Sequence, residues 1–272
     1  LSSAASDVYK RQEQMQILLA ILVLLPFVSA LLLALCGSDR MRRLIVYGSA
    51  GVLMISAVAF AVCFFSGENL QLRFLQSGGI IDHTMLALEA GFAVLITVLG
   101  IKYRRYYVAV LSIVQTVLTF VYELGGYKPA VQPYNLFTDQ LTVIMVLIIA
   151  VVGTLITVYA VGYMRDYHNH HKEYTDRRRF FFAMLYVFLG AMFGLVLSNS
   201  LLWLYFFWEI TSLVSFLLIG YTRTKEAVQN SFRALWMNLL GGLGFSAAIF
   251  WAGVRFGITD LQSLIPVSYT HL

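Results

Sequence analysis

Eight apolar runs, at 16–36, 45–66, 84–101, 106–124, 136–163, 180–198, 201–220 and 232–253, decide what this chain can fold into. About twenty residues of α-helix rise roughly 30 Å, the thickness of a bilayer's hydrocarbon core. Lipid offers the backbone no hydrogen-bond partner, so a spanning segment is either a helix or part of a closed barrel. No run alternates apolar and polar residues long enough to build a barrel wall. The expected fold is therefore all-α, a polytopic transmembrane bundle of about eight spanning helices. Charged residues make up 12% of the chain, against about 25% in soluble domains, which agrees with that reading.

The basic residues test the layout. Arg40, Arg42 and Arg43 fall in the first loop, Lys102, Arg104 and Arg105 in the third. Arg165, Lys172, Arg177, Arg178 and Arg179 fall in the fifth, and Arg223, Lys225 and Arg233 in the seventh. The alternate loops hold only Arg73, Lys128 and Arg255. Positive charge gathers on the cytoplasmic side of membrane proteins, so the expected site is the cytoplasmic (inner) membrane, with the N-terminus outside the cytoplasm. The net charge of +5 is thus a topology signal and gives no reason to expect nucleic acid as a partner. Cys36 and Cys63 sit in separate apolar runs and read as small packing residues.

Residues 1–12 and 266–272 do not continue the patterns beside them and are expected to be non-native flanks. Between them the chain divides in order into an N-terminal helix pair (15–66), a loop with a further helix pair (67–130), and a block from 134 to 265. The loop 67–83 is long enough for a short hairpin turning at Gly78 and Gly79, and 125–135 is a Gly/Pro breaker. The polar stretch 165–179 reads as a solvent-facing loop, and the tight 198–200 connection as the turn of an antiparallel helix hairpin.

One residue stands out against the apolar background. Glu209 is ninth in LLWLYFFWEITSLVSFLLIGY (201–221), close to mid-membrane. A carboxylate there costs on the order of 2.5–3.5 kcal/mol on insertion scales, and such residues usually face a bundle interior and mark ion movement. Tyr205 and Ser212 lie at i−4 and i+3 on the same face and are the expected orienting groups; Thr211 and Ser215 add hydroxyls nearby. The plain alternative is a buried Glu with only a packing role.

Other candidates carry less. Glu89, inside the third run, is either a secondary proton site or a snorkelling or partner-facing residue. Asp139, Asp82 and Glu123 lie at run ends, where capping or solvation is expected. Asn238 could hold a water, and the glycines 241, 242 and 244 favour close helix packing. His168, His170 and His171 share one loop without a ligand pattern, so no metal is expected. No phosphate loop, nucleophile elbow or Cys cluster is present, and no cofactor is expected.

YNLFTDQLTVIM, RRRFFFAMLYVFLGAMFGLVLSNSLLWLYFFWEITSLVSFLLIGY and RALWMNLLGG resemble the antiporter-like subunits of respiratory complex I, Mrp-type multisubunit sodium/proton antiporters and membrane-bound energy-converting hydrogenases. The likeness covers about 134–265 and is most specific around Trp208–Glu209. It implies a longer inverted-repeat fold of which this is the N-terminal part. It also implies other membrane subunits as partners, protons (with sodium the alternative ion) as cargo, and Glu209 coupled to a lysine beyond Ile265. Leu239 and Gly242 stand where the complex I subunit has Arg and Asp, and the 84–124 pair is additional to the usual subunit; no role follows for it. The first expectation is proton translocation driven by redox subunits of an NADH–quinone oxidoreductase-like or hydrogenase complex. The alternatives are an Mrp-type antiporter subunit without redox partners and a non-conducting anchor.

Overall fold

The computed structural model describes residues 2–66, 72–76, 80–125 and 134–265. The helices are α1 (Ser2–Leu35), α2 (Asp39–Phe65), α3 (Ile80–Lys102), α4 (Tyr106–Leu124), α5 (Gln140–Ile148), α6 (Thr154–His170), α7 (Arg178–Leu197), α8 (Leu201–Ile219) and α9 (Lys225–Phe256). A single π turn, Ile149–Gly153, joins α5 to α6. Among the described residues, counting α5, the turn and α6 as one, eight spans are long and apolar enough to cross a membrane. Each overlaps one of the eight runs read from the sequence. Their lipid-facing positions are apolar, as expected of a multi-pass membrane protein: Val110, Ile113, Val117 and Val121 of α4 are all exposed.

The helices form two compact units that interleave along the chain. One comprises 1–72 and 138–197, the other 73–137 and 198–272. In the first, α1 packs on α7 and α2, and α2 on the α5–α6 rod. Close approach there depends on small residues. A Cβ on Gly190 would meet the Phe27 ring at 2.9 Å, and one on Gly153 would meet Leu189 at 2.5 Å. A buried hydroxyl pair, Ser49 Oγ to Tyr186 Oη at 2.7 Å, ties α2 to α7. Asp139 caps α5 by accepting from the Thr142 N–H at 2.7 Å, which settles its place as a helix cap.

The second unit holds α3, α4, α8 and α9 as two hairpins. Both hairpin turns place an arginine in the left-handed region, Arg104 (φ 56) and Arg223 (φ 57). Asp82 at the start of α3 accepts from Trp203 Nε1 at the start of α8 (2.7 Å), so these two helices begin at the same end. Tyr122 near the end of α4 lies against Gly253 near the end of α9, which brings α4 and α9 to that end as well. Two apolar layers fill the interior. Tyr122, Leu201, Tyr205 and Ile249 make one; Ile96, Val108, Leu213, Phe216, Phe232, Leu235 and Leu239 make the other.

Several local expectations need correction. The 72–76 segment is a strand (β1, Leu72–Gln76) paired with β2 (Tyr134–Thr138), so its partner lies some sixty residues on rather than in a local hairpin. Gly78, Gly79 and 266–272 lie outside the described residues. Helix α1 begins at Ser2. The supposed 165–179 loop is helical to His170, and α9 starts at Lys225 behind a Thr224 cap. The 198–200 connection joins helices that belong to different units. Asn199 is pinned within the second unit, its N–H donating to Asn135 O at 2.8 Å and its side chain to Tyr134 O at 2.9 Å.

Candidate functional site

Glu209 lies in a polar layer between the two apolar layers of the second unit. On α8 it stands one turn after Tyr205 and one turn before Leu213. On α9 Gly242 and Ser246 fall between Leu239 and Ile249, and on α4 Ser112, Gln115 and Thr119 fall between Val108 and Tyr122. The depths agree. At 1.5 Å per residue, Glu209 is about 12 Å along α8, Glu89 about 13 Å along α3, and Gln115 about 13 Å back from the end of α4. Phe92 of α3, three residues after Glu89, stacks on Phe206 of α8, three residues before Glu209, with centroids 6.0 Å apart.

The carboxylate's contacts are few and one-sided. Tyr205 Oη donates to Glu209 Oε1 at 2.9 Å, and Gln115 Nε2 donates to the same oxygen at 2.7 Å. Oε2 is buried and has no hydrogen-bond partner. Glu209 is 8% exposed and Glu89 is 0% exposed, and both carboxyl oxygens of Glu89 lack a hydrogen bond. Among the described residues, no ion pair involves either glutamate. Glu89 lies within electrostatic reach of Glu209, with the Thr119 hydroxyl beside it.

Gly242 makes room for this arrangement. A Cβ there would come within 3.0 Å of Gln115 Oε1 and 3.9 Å of the Tyr205 ring, so a bare backbone lets the amide lie flat against α9.

The structure brings Tyr205 to Glu209 as expected, but not the other supporting candidates. Ser212 donates to the Trp208 carbonyl at 3.0 Å, and Thr211 to the same carbonyl at 2.8 Å; a hydroxyl inside a helix finds its own preceding turn first. Ser215 likewise donates to Thr211 O. Trp208 points elsewhere, 37% exposed with its ring near Phe245 and Gly241. Asn238 is half-buried on α9, and no described hydrogen bond links it to Glu209. The histidines bond locally: His170 Nδ1 to Asp166 O, and His171 Nδ1 to Glu173 at 3.0 Å. Asp82 accepts from Asn135 and Trp203 at the helix ends.

Sequence reasoning passed over Gln115, Thr119 and Ser112. Their signal was a polar stripe at i, i+3, i+7 and i+10 (Ser112, Gln115, Thr119, Tyr122), all buried, on a helix whose Val110, Ile113, Val117 and Val121 face outward.

Spanning helices that turn polar side chains inward define a polytopic membrane protein. The family described as "NADH-Ubiquinone oxidoreductase (complex I), chain 5 N-terminus" matches residues 132–181, and that described as "NADH:quinone oxidoreductase/Mrp antiporter, TM" matches 198–270. The chain is similar to the Na(+)/H(+) antiporter subunit A1 of Staphylococcus haemolyticus, 32% identical over 161 residues, covering 59% of this chain and 19% of that protein. It is also similar to the subunit of the same name from Staphylococcus aureus strain JH9, 26% identical over 200 residues, covering 67% of this chain and 24% of that protein. The chain thus spans about a fifth to a quarter of the length of these relatives. Residues 132–181 and 198–270 are thus similar to antiporter-like membrane subunits.

Proposed function

We propose that this chain moves protons in exchange for a monovalent cation as a subunit of a multisubunit antiporter, with Glu209 as the carboxyl group that changes charge. The antiporter reading moves ahead of the redox-driven one because the relatives carry the name Na(+)/H(+) antiporter subunit. A redox-driven complex stays as the second reading, since both family descriptions name NADH oxidoreductases.

The observation that carries the site is the hydrogen-bond inventory of Glu209. A carboxylate has two oxygens to satisfy; here two donors converge on Oε1, and Oε2 is buried and open. A proton on Oε2 gives a neutral carboxyl that this apolar interior tolerates. Loss of that proton leaves a charge held at Oε1 by Tyr205 and Gln115. Both states keep the same two donors, so a change of charge needs no repacking. The distribution of Lys and Arg supports a cytoplasmic-membrane location with the N-terminus outside the cytoplasm.

The test is Glu209→Gln in the intact complex, in everted vesicles, with an imposed sodium gradient and no electron donor. Wild type is expected to move protons under the gradient alone. E209Q is expected to lose roughly a hundredfold or more of that turnover, the scale of a removed acid–base group. Unchanged turnover in E209Q removes Glu209 from the mechanism. Transport that requires an electron donor moves the redox-driven reading to the front.

A further inference from the structure

The α3–α4 pair has no role in the reading above beyond the one hydrogen bond from Gln115. We infer that this pair supplies a second proton carrier, Glu89, joined to Glu209 through the hydroxyls of Thr119 and Tyr205, with Gln115 and Thr119 as positioning residues. The inference rests on Glu209 carrying charge, as proposed above.

Three observations converge. Glu89 is completely buried at the depth of Glu209, and neither of its oxygens has a hydrogen bond. A buried ionisable group without partners is costly and is not retained for packing that Leu or Met would do better. The residues between the two carboxyl groups form a sequence of hydroxyls. Thr119 Oγ1 lies beside both Glu89 and the Tyr205 hydroxyl, and Tyr205 Oη donates to Glu209 Oε1 at 2.9 Å. Finally, the layer holds no described cation to neutralise either glutamate, so one proton shared between them removes the repulsion of two like charges at close quarters.

The transfer balances. Glu89 gives its carboxyl proton to Thr119 Oγ1, which releases its own to Tyr205 Oη. Tyr205 in turn releases its proton to Glu209 Oε1, and a half-turn of the carboxyl carries that proton to the open position now held by Oε2, restoring both donors. Each hydroxyl ends with one proton, Glu209 ends neutral, and the single negative charge has moved to Glu89. Thr119 now donates to the Gln115 carbonyl at 3.0 Å, so rotation of its hydroxyl away from that carbonyl opens the path. Gln115 thereby touches the route twice: its backbone holds the Thr119 hydroxyl and its side chain holds Glu209.

The experiment compares Glu89→Gln, Thr119→Val and Thr119→Ser with Glu209→Gln in the intact complex under the same imposed sodium gradient. E89Q keeps shape and removes the exchangeable proton; T119V keeps shape and removes the hydroxyl; T119S keeps the hydroxyl and removes a methyl. The expected result is a loss of roughly tenfold or more in E89Q and T119V, with T119S close to wild type. Wild-type turnover in E89Q and T119V, with E209Q inactive, overturns the role of Glu89 and leaves the Glu209 reading standing. Wild-type turnover in E209Q overturns the earlier reading instead. If E89Q does not assemble, the threonine pair decides: T119V and T119S impaired alike means packing and overturns the relay.

Discussion

The two units treat buried charge in opposite ways. In the first, charge gathers at helix ends and is paired. Arg42, with a side chain only 8% exposed, meets Asp39 at 2.6 Å and lies over the Phe182 ring at 5.8 Å. Arg178 reaches Asp39 at 3.5 Å and Asp176 at 2.7 Å. In the second, Glu89 and Glu209 lie in mid-helix with no described ion pair and three unpartnered oxygens between them. A paired charge at a helix end is fixed, because each partner stabilises the ionised form of the other. An uncompensated carboxyl inside a bundle has nothing to fix its state, so its charge follows the proton. The contrast fits an anchoring role for one cluster and the transport role proposed for the other.

The sharpest way to press on the transport side, short of removing a carboxyl, is Tyr205→Phe. It deletes one of the two donors to Glu209 Oε1 while keeping the ring that packs edge-on against Phe245. Hydrogen bonds to a charged group are worth about 1.5–3 kcal/mol, so the charged state of Glu209 loses that much support. Turnover is expected to fall by roughly ten- to a hundredfold with the complex fully assembled. Assembly and turnover both at wild-type level would mean the charged state does not depend on this donor.

What the sequence showed and what it hid follow the same division. The spans were legible because each needs a long apolar run, and Glu209 because a lone acid in such a run is conspicuous. Tyr205 was legible from i−4 spacing. Ser212 had equally good spacing and was misleading, because serine in a helix satisfies itself on the preceding turn. Gln115 and Thr119 carry no charge, so they looked like ordinary residues of an apolar run until packing showed Gln115 bonded to Glu209 and Thr119 beside Glu89 and Tyr205. The pairing of Leu72–Gln76 with Tyr134–Thr138 was hidden because it joins segments far apart in the chain, and no local pattern encodes a distant partner. The π turn at Ile149–Gly153 was hidden because a single wide turn leaves the run's apolar composition unchanged.

On the anchoring side, the two halves of the Arg42–Asp39 pair should not be equivalent. Arg42 is buried and Asp39 has a side chain 57% exposed. Asp39→Ala leaves a buried guanidinium without its carboxylate. Arg42→Met removes the buried charge and keeps an apolar stem against Phe182. Breaking a fully buried pair from one side costs about 3–5 kcal/mol; with one partner in solvent, about 1–2 kcal/mol is expected for D39A. R42M is expected to cost less than D39A. Thermal unfolding in mild detergent measures both, and neither should alter turnover per assembled complex. R42M costing more than D39A would show that the guanidinium's stacking on Phe182, rather than the ion pair, holds this end together.

The smallest effect belongs to Asp176, in the connection between α6 and α7. Hydrogen bonds from the Arg178 side chain and then from its backbone N–H, with the nearby charges of Arg178 and His168, hold its carboxyl down at about 2, below the ordinary 3.8. A carboxyl whose folded value is depressed adds stability above its unfolded value, and that stability disappears as pH falls through the folded value. The contribution is therefore complete above about pH 4 and gone near pH 2. Because the side chain is 49% exposed, solvent screening keeps it below about 1 kcal/mol. Asp176→Asn should lower the unfolding temperature slightly at neutral pH, and the gap from wild type should close as pH drops from 4 toward 2. A gap of constant size across that range would place the contribution of Asp176 in its hydrogen bonds to Arg178, which asparagine can partly retain, and not in its charge.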